Sequence, residues 1–270
     1  MNNGVDNIIN EAVRIMIEHT GDDKVIDKLI KKHDKKIHFV PKRYRVFGGI
    51  LQSLNIQFGN FIEELMAVIV SKDDRYEIVN TFSGKKSNQF TISVENERRI
   101  DEYITNCQIN NYTDLELEQN FNELWKELVY NQNGERISFT HDIDLLFKDK
   151  TTGIYYYLEI KYNDDHDTGK FVDINRKLLK TSAYLIKELN ITDDTKFKPI
   201  LFFFNNKKMK GNPYIPEKSN IYRGKRFFDE FLKIPYDDVE NYMANLSESE
   251  PTISAFNNLY NKVMTYNKDE

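Results

Sequence analysis

The sequence predicts an α/β fold in which helices flank a mixed central sheet. The chain has 270 residues, of which 40% are hydrophobic, enough to bury a large core. Over residues 137–205, two strand-like runs flank a turn, a long helical pattern follows, and a short apolar run ends the segment. The order strand, strand, helix, strand, preceded by helices, is typical of helices packed on a mixed sheet. We expect a single domain over residues 1–270, with a helical part at 1–70.

Apolar residues recur with helical spacing in the first third of the chain. One amphipathic pattern begins at Val5 and ends near Gly21, and a shorter helical pattern follows it. The basic stretch KKHDKKIHFVPKRYR is broken by Pro41, and we expect Arg43 and Arg45 to lie on an extended run. The next segment, LQSLNIQFGNFIEELMAVIV, places its apolar residues on one face and predicts a core helix.

Turns and a capped helix are predicted in the middle of the chain. Residues 71–93 should form strand and loop, with a turn at SGKKSN. Thr113 and Glu116 have capping-box spacing, which predicts that a helix carrying Trp125 begins there. NQNGE predicts a turn, and KDKTTG predicts the turn of a hairpin. A long helix should cover about residues 172–189, and KPILFFFNN predicts a strand that is buried on both faces.

Composition and charge limit the classes of function. The net charge is −5, so the chain lacks the global positive field typical of nucleic-acid-binding proteins, and any such surface must be local. Cys107 is the single cysteine of the sequence, which excludes an intramolecular disulfide and favours a reducing compartment. The first residues lack a signal-peptide pattern, and no apolar run approaches the roughly 20 residues that cross a bilayer. We therefore expect a soluble, cytoplasmic protein.

Two neighbouring strands carry acidic residues and a lysine. In HDIDLLF, the alternation of side chains along a strand places Asp142 and Asp144 on one face. In YYYLEIK, it places Glu159 and Lys161 together. Nearby carboxylates repel each other, and a hard cation such as Mg²⁺ offsets the repulsion, while a lysine beside it can orient water or offset negative charge. The alternative is a salt bridge on an edge strand that faces water.

These segments resemble the signature of PD-(D/E)XK nucleases, in which one strand supplies an acid and the next ends with (D/E)-x-K. His141 or Ile143 stands where the usual proline precedes the acid. More narrowly, KRYRVFGGILQSLNIQFGNFIEE and EIKYNDDHDTGKFVDINRKLLK resemble HinfI/TdeIII-like type II restriction endonucleases, over residues 37–70 and 137–190. The resemblance implies a restriction-endonuclease-like catalytic core at residues 137–205.

The resemblance also implies roles for individual residues of this core. Asp144 would be the first metal-binding acid, and Asp142 is the alternative. Glu159 would be the second metal ligand and Lys161 the catalytic lysine. The carbonyl oxygen of Ile160, which lies between them, would be an additional ligand.

Three further residues could belong to the site. In this fold the helix before the core sheet often adds a Glu in a G-x-x-h-E pattern, and Glu63 fits that pattern. A solvated helix position is the alternative for Glu63. His141 and His166 would support the site or contact DNA.

The resemblance implies duplex DNA as substrate, a C2 homodimer, Mg²⁺ as cofactor, products with 5′-phosphates and a cognate DNA methyltransferase that protects the same site. The site would be short with a degenerate central base, GANTC in preference to GGNCC. Candidate DNA contacts follow the lysine strand or lie in residues 206–235, where phosphate clamps would join Asn and Arg base readers. They are Lys170, Arg176, Lys177, Lys180, Lys207, Lys208, Lys210, Arg223, Lys225 and Arg226. For any one lysine, a solvated surface is the alternative.

Two other functions fit the same residues. A repair or junction-resolving nuclease would share the fold but recognise the shape of DNA rather than its sequence. The large, irregular region expected beyond Phe204 favours sequence readout instead. A non-catalytic DNA-binding protein would use the acidic strands structurally.

Overall fold

The computed structural model describes residues 3–165 and 167–266. In chain order, its main elements are α1 (Asn3–Thr20), α2 (Asp23–Asp34), α3 (Lys42–Ser71), β1 (Tyr76–Ile78), β2 (Gly84–Ser93), α4 (Val94–Ile109), α5 (Asp114–Tyr130), β3 (Arg136–Ile143), β4 (Leu145–Asp149), β5 (Tyr155–Lys161), α6 (Thr168–Glu188), β6 (Phe197–Phe203), β7 (Ile221–Arg223), α7 (Gly224–Phe231), α8 (Tyr236–Ser247) and α9 (Glu250–Thr265). A 3-10 turn, Asp194–Lys196, precedes β6. Among the described helices, none combines the length and apolar character that spanning a bilayer requires.

The chain divides into two compact units. The first comprises Met1–Leu65 and Ile234–Glu270, and the second comprises Met66–Lys233. The assignment of the whole chain to a single domain stays a prediction.

Helices α2, α3 and α9 share an apolar cluster in the first unit. Ile26, Val46 and Ile50 pack there with Leu259 and Val263. Burying these side chains removes their apolar surface from water, which stabilises the unit by about 25 cal/mol per Å². The cluster therefore holds α9 against α2 and α3.

In the second unit, five described strands form a mixed sheet in the order β1-β4-β5-β6-β7. Strands β1, β4 and β5 pair antiparallel, whereas β5, β6 and β7 pair parallel. Helices α4, α5 and α6 contribute to the core on one side of this sheet, and α7 packs its aromatic residues against β6 and β7. The mixed α/β fold with flanking helices is thereby confirmed. Strands β2 and β3 pair separately as a two-stranded sheet.

Several predicted elements agree with the structure. Thr113 and Glu116 form the capping box at the beginning of α5. The KDKTTG turn joins β4 to β5 as a hairpin, and β6 is buried on both faces. Helix α6 extends the predicted helix by one turn, because Asp167 accepts a hydrogen bond from the backbone N–H of Lys170 and caps it.

Other expectations were wrong. Residues after Pro41 are not extended, because α3 begins at Lys42, directly after a proline that ends the preceding segment. The SGKKSN segment is not a free turn; most of it belongs to β2, with an irregular register between Gly84 and Asn88. The chain beyond Phe204 is irregular only up to β7, and α7, α8 and α9 follow. Helix α4 also lacked a sequence prediction.

Candidate active site

Glu159 lies on β5, the central strand of the five-stranded sheet, and is 4% exposed. Burying a carboxylate is costly unless positive charge and hydrogen bonds compensate it. Because β5 is paired on both sides and Glu159 is buried, the structure rules out a salt bridge on a water-facing edge strand. Glu159 therefore needs positive charge and hydrogen-bond donors inside the protein to compensate for its burial.

Asp144 lies at the bend between β3 and β4 and approaches the end of β5. Its Oδ2 accepts a hydrogen bond from the backbone N–H of Ile160 at 2.7 Å and contacts the ammonium group of Lys161 at 3.3 Å. The bend after Ile143 turns the carboxylate toward β5, since Leu145 already pairs with Leu158 in the next ladder. The structure therefore brings Asp144 and the Glu159–Lys161 pair together.

Asp142 does not share this face, contrary to the expectation that it lies beside Asp144 on one strand. It belongs to β3, in the separate two-stranded sheet. Its Oδ1 accepts hydrogen bonds from the backbone N–H groups of Lys86 and Ser87. Ser87 has a positive φ of 47°, so Asp142 stabilises the irregular part of β2. Its role as a metal ligand stays a prediction.

The ammonium group of Lys161 lies where three oxygen atoms converge. Glu159 Oε1 lies 2.7 Å from its Nζ, the Ile160 carbonyl oxygen accepts a hydrogen bond from it at 2.7 Å, and Asp144 Oδ2 lies at 3.3 Å. Two carboxylates and a carbonyl thus surround one positive charge. This convergence is the main geometric feature of the site.

Behind Glu159, a buried hydrogen-bonded chain reaches α6. The hydroxyl of Tyr157 donates to Glu159 Oε2 at 2.8 Å, and Thr181 hydrogen-bonds the same hydroxyl. Thr181 Oγ1 also lies 2.8 Å from His141 Nδ1. Because Tyr157 gives its hydrogen to Glu159, Thr181 must donate to Tyr157 and accept from His141, which places the hydrogen of neutral His141 on Nδ1.

Electrostatics keep Glu159 charged and Tyr157 neutral. Burial opposes ionisation of Glu159, but the charge of Lys161 and hydrogen bonds from Lys161 and Tyr157 hold the pKa of its carboxyl below the ordinary value. Burial and the charge of Glu159 raise the pKa of Tyr157 well above its ordinary value, so its hydroxyl remains a donor. Burial lowers the pKa of His141, although nearby Glu159 opposes this shift.

The donor set fits a hard divalent cation. Asp144, Glu159 and the Ile160 carbonyl offer oxygen atoms that already converge on one positive charge. Mg²⁺ is usually held by one or two carboxylates, with water and substrate phosphate in the other positions. Within residues 3–165 and 167–266, no group of three or more His, Cys, Asp or Glu side chains could hold a metal.

Two further residues, Glu63 and His166, are predicted for the site. Glu63 lies half-buried on α3 in the first unit, and its neighbour Glu64 is exposed. His166 lies outside the described residues. The assignment of Glu63 to the site stays a prediction.

Two of the four predicted DNA-contacting cations on α6 hold the fold together. The Arg176 guanidinium donates to Asp101 at 2.8 Å, and Lys180 forms an ion pair with Glu97, so both join α6 to α4. In contrast, Lys170 and Lys177 are exposed and form no ion pair within the described chain. The charge of Lys177 also lowers the pKa of His141, although less than burial and Glu159 affect it.

Buried Asp164 organises the loop after β6. Its two oxygens accept from the backbone N–H groups of Met209 and Lys210, at 2.9 and 3.1 Å, and it pairs with Arg223 at 3.1 Å. Arg223 is 9% exposed and also pairs with Glu217 at 3.1 Å. Among the candidate DNA contacts, Arg223 is therefore placed as a structural cation.

The other candidate cations of this region differ in how firmly they are held. Arg226 donates to the backbone carbonyls of Glu217, Lys218 and Ile221, which fixes the loop before β7. Lys207 is exposed. Exposed ion pairs, each worth roughly 0–1 kcal/mol, join three other lysines to acids: Lys208 with Glu217, Lys210 with Asp165 and Lys225 with Asp229. Lys208 can therefore exchange Glu217 for a phosphate at little cost.

Sequence reasoning missed Tyr157, Thr181 and Asp164. Tyr157 could have been found, because alternation along YYYLEIK puts residues 157, 159 and 161 on one face. Thr181 lies on α6, distant in sequence from its partners, so no local pattern indicates it. Asp164 stands in the acidic run NDDHD, where spacing does not separate a buried acid from exposed ones.

Comparison with known proteins gives two matches over nearly the whole chain. The family model described as type II restriction endonuclease, HinfI, matches residues 1–247. The type II restriction enzyme HinfI of Haemophilus influenzae is 55% identical over 264 residues, which cover 98% of this chain and 99% of that protein. No solved structure matches.

Proposed function

The chain belongs to the HinfI family of type II restriction endonucleases, and on that premise we propose that it hydrolyses both strands of duplex DNA at a short, near-palindromic site with Mg²⁺. Membership of a type II restriction endonuclease family favours neither a repair nuclease nor a non-catalytic binding protein. Type II restriction enzymes generally use a divalent metal ion. The observation that carries the proposal is the convergence of Asp144, Glu159 and the Ile160 carbonyl oxygen on one positive charge.

Asp144, Glu159 and the Ile160 carbonyl would hold the metal ion, and Asp142 and Glu63 remain further candidates. A bound Mg²⁺ would supply stabilisation of the charge that develops on the scissile phosphate. Lys161 would orient the attacking water and offset negative charge, because its Nζ lies 3.3 Å from Asp144 Oδ2 and 2.7 Å from Glu159 Oε1, the two acids that would hold the metal ion. Attack in line with the leaving 3′ oxygen leaves a 5′-phosphate on the product.

A C2 homodimer would place two such sites on the two strands of a near-palindromic sequence. The resemblance described above implies a site of the GANTC or GGNCC kind, of which we prefer GANTC, and a cognate methyltransferase that protects the same sequence. Exposed Lys170, Lys177 and Lys207 would contact phosphates. The cytoplasm, where incoming DNA is met, would be the place of action.

Digestion of a fully sequenced, unmethylated plasmid with the purified protein tests this proposal. Discrete fragments with Mg²⁺ and intact DNA with EDTA are expected, and the mapped fragment ends give the site and the overhang. A Lys161→Met variant should bind DNA without cutting it, whereas Lys150→Met, in the turn of the same hairpin, should cut normally. A smear with Mg²⁺ would contradict a site-specific enzyme, and uncut DNA under all conditions would contradict cleavage.

A further inference from the structure

The first unit contains a basic cleft between the end of α2 and the beginning of α3. The cleft has a volume of about 320 Å³. Its lining includes five basic side chains and no carboxylate: Lys32, His33, Lys36, His38 and Arg45. Such a lining attracts anions, because like charges gathered in a concave surface reinforce each other.

The charge of this basic cleft is not neutralised nearby. Lys32 and Lys36 form no ion pair within the described part of the chain. The neighbouring carboxylate of Asp34 is paired with Lys42 at 2.6 Å. Burial, followed by the charges of the surrounding cations, lowers the pKa of His33. Because no carboxylate of the cleft lining balances these positive charges, they are available to an external anion.

Capping of helix α2 accounts for a part of this arrangement. Cations near a helix C-terminus offset its dipole, and Arg45 Nη1 donates to the carbonyl oxygens of His33 and Lys36, each at 3.2 Å. Capping does not account for every polar atom of the basic cleft, however. Among the described residues, Arg45 Nε and His33 Nδ1 find no hydrogen-bond partner although they are buried, which is uncommon for polar atoms in folded proteins. His38 Nδ1 accepts from the backbone N–H of Val40, so the hydrogen of its neutral ring lies on Nε2, available to a ligand.

Gly48 provides an independent indication of close approach. It lies within α3 and lines the basic cleft, and an added Cβ would meet no atom within 4 Å. Glycine inside a helix costs roughly 0.5–1 kcal/mol relative to alanine. Packing explains Gly49, whose Cβ would lie 3.1 Å from Leu29, but it does not explain Gly48. A ligand that approaches the helix backbone does.

We infer that the basic cleft of the first unit binds a backbone phosphate of duplex DNA. The inference rests on the proposed action on DNA. Lys32, Lys36 and the Nε2–H group of His38 would contact the phosphate, and Gly48 would allow its approach. Polymeric DNA is favoured over a free anion because Ile37 and Phe39, beside the cleft, are 105% and 95% exposed. Proteins insert such apolar side chains into the grooves of DNA.

Salt dependence of DNA binding tests the inference. Binding of a labelled duplex is measured with EDTA at several salt concentrations, by fluorescence anisotropy, with the full chain. The variant Lys32→Ala/Lys36→Ala should bind more weakly and reduce the slope of log K against log [salt] by about 0.9, since the loss of one phosphate contact lowers the slope by about 0.9. Lys24→Ala/Lys28→Ala removes the same charge from exposed positions of α2 outside the cleft and should keep the wild-type slope.

A variant without a change in charge separates local contact from overall electrostatics. Gly48→Leu should fold at least as stably as wild type, because the position is open and leucine favours helix, yet it should bind the duplex more weakly. Equal slopes in both double-lysine variants, or wild-type binding by Gly48→Leu, would overturn the inference. If wild type still cuts DNA in that case, the proposed function stands; a wild type that neither binds nor cuts overturns both. Saturation by inorganic phosphate without an effect of these variants on duplex binding would indicate a small-anion site instead.

Discussion

The hydroxyl of Tyr157 donates to Glu159 Oε2 at 2.8 Å, while Glu159 Oε1 faces Lys161 Nζ at 2.7 Å. The two oxygens of one carboxylate therefore have different partners. Tyr157 is fully buried and holds Oε2 toward the core, which leaves Oε1 for the side where Asp144 lies. Groups that hold a metal ligand in this way commonly tune metal binding without touching the metal.

Replacing Tyr157 with phenylalanine should raise the Mg²⁺ concentration needed for half-maximal cleavage by roughly 10-fold or more, because supporting partners of metal ligands are worth about 10–100-fold. The measurement is the cleavage rate as a function of Mg²⁺ concentration. Tyr156→Phe is the matched control, since the neighbouring side chain packs against Phe147 and Phe231 instead. An unchanged Mg²⁺ midpoint in Tyr157→Phe would show that Glu159 is oriented without it.

The two aspartates before β4 should respond differently to amide substitution. Asp144→Asn removes a charge that faces Lys161, and we expect cleavage to fall by on the order of 1,000-fold, since metal-assisted charge stabilisation is worth several kcal/mol. Asp142→Asn should retain most cleavage, because the oxygen of asparagine still accepts from Lys86 and Ser87. Single-turnover cleavage rates at saturating Mg²⁺ measure both effects. Loss of cleavage in Asp142→Asn with full cleavage in Asp144→Asn would reverse the assignment of the metal ligand.

The strand pattern predicted the acidic cluster well, because alternation is a local property. Glu159 and Lys161 share a face in any regular strand, and the hairpin turn fixes the register that brings Asp144 close. The separation of Asp142 from Asp144 could not be predicted from HDIDLLF. A bend between two strands of different sheets interrupts alternation, and it depends on pairing with the distant β2.

Long-range pairing also determines which candidate cations are buried, and the sequence alone does not show it. Arg223 and Lys207 look alike in a basic segment, since sequence gives charge but not burial. Arg223 can be buried because it forms an ion pair with buried Asp164, on the loop after β5. Likewise, Pro41 predicted an extended run that includes Arg45. Pro41 lies directly before α3, however, and Arg45 belongs to that helix.

Arg223→Ala should destabilise the protein by about 3–5 kcal/mol, because removing one partner leaves the other charge buried without compensation. The remaining charge is that of Asp164, which is 1% exposed. Lys207→Ala, at an exposed position of the same region, should change the free energy of unfolding by less than about 0.5 kcal/mol. Urea unfolding followed by the fluorescence of Trp125 measures both variants. Comparable stabilities would show that Asp164 is held by the backbone N–H groups of Met209 and Lys210 alone.

His33 should make the free energy of unfolding depend on pH. Burial, and then nearby cations, lower its folded-state pKa below the ordinary 6.5, so the unfolded chain binds the proton more readily. Stability from this residue is therefore complete above pH 6.5 and is lost as the pH falls from 6.5 through the folded-state pKa. Urea unfolding from about pH 7.5 to about pH 5.5 should show a smaller loss for His33→Gln than for wild type. His19→Gln, at an exposed position of α1, should lose as much as wild type.

A duplex bound to the basic cleft should weaken this pH dependence. Its phosphate would offset the charges of Lys32, Lys36 and Arg45, which oppose protonation of His33. The ¹³C-labelled imidazole resonance of His33 should therefore titrate at higher pH with saturating duplex and EDTA than without duplex. The same titration in Lys32→Ala/Lys36→Ala should begin at higher pH and respond less to DNA, because two of the opposing charges and the phosphate contacts are gone. A His33 pKa that is unchanged by DNA in wild type would place the bound phosphates elsewhere on the surface.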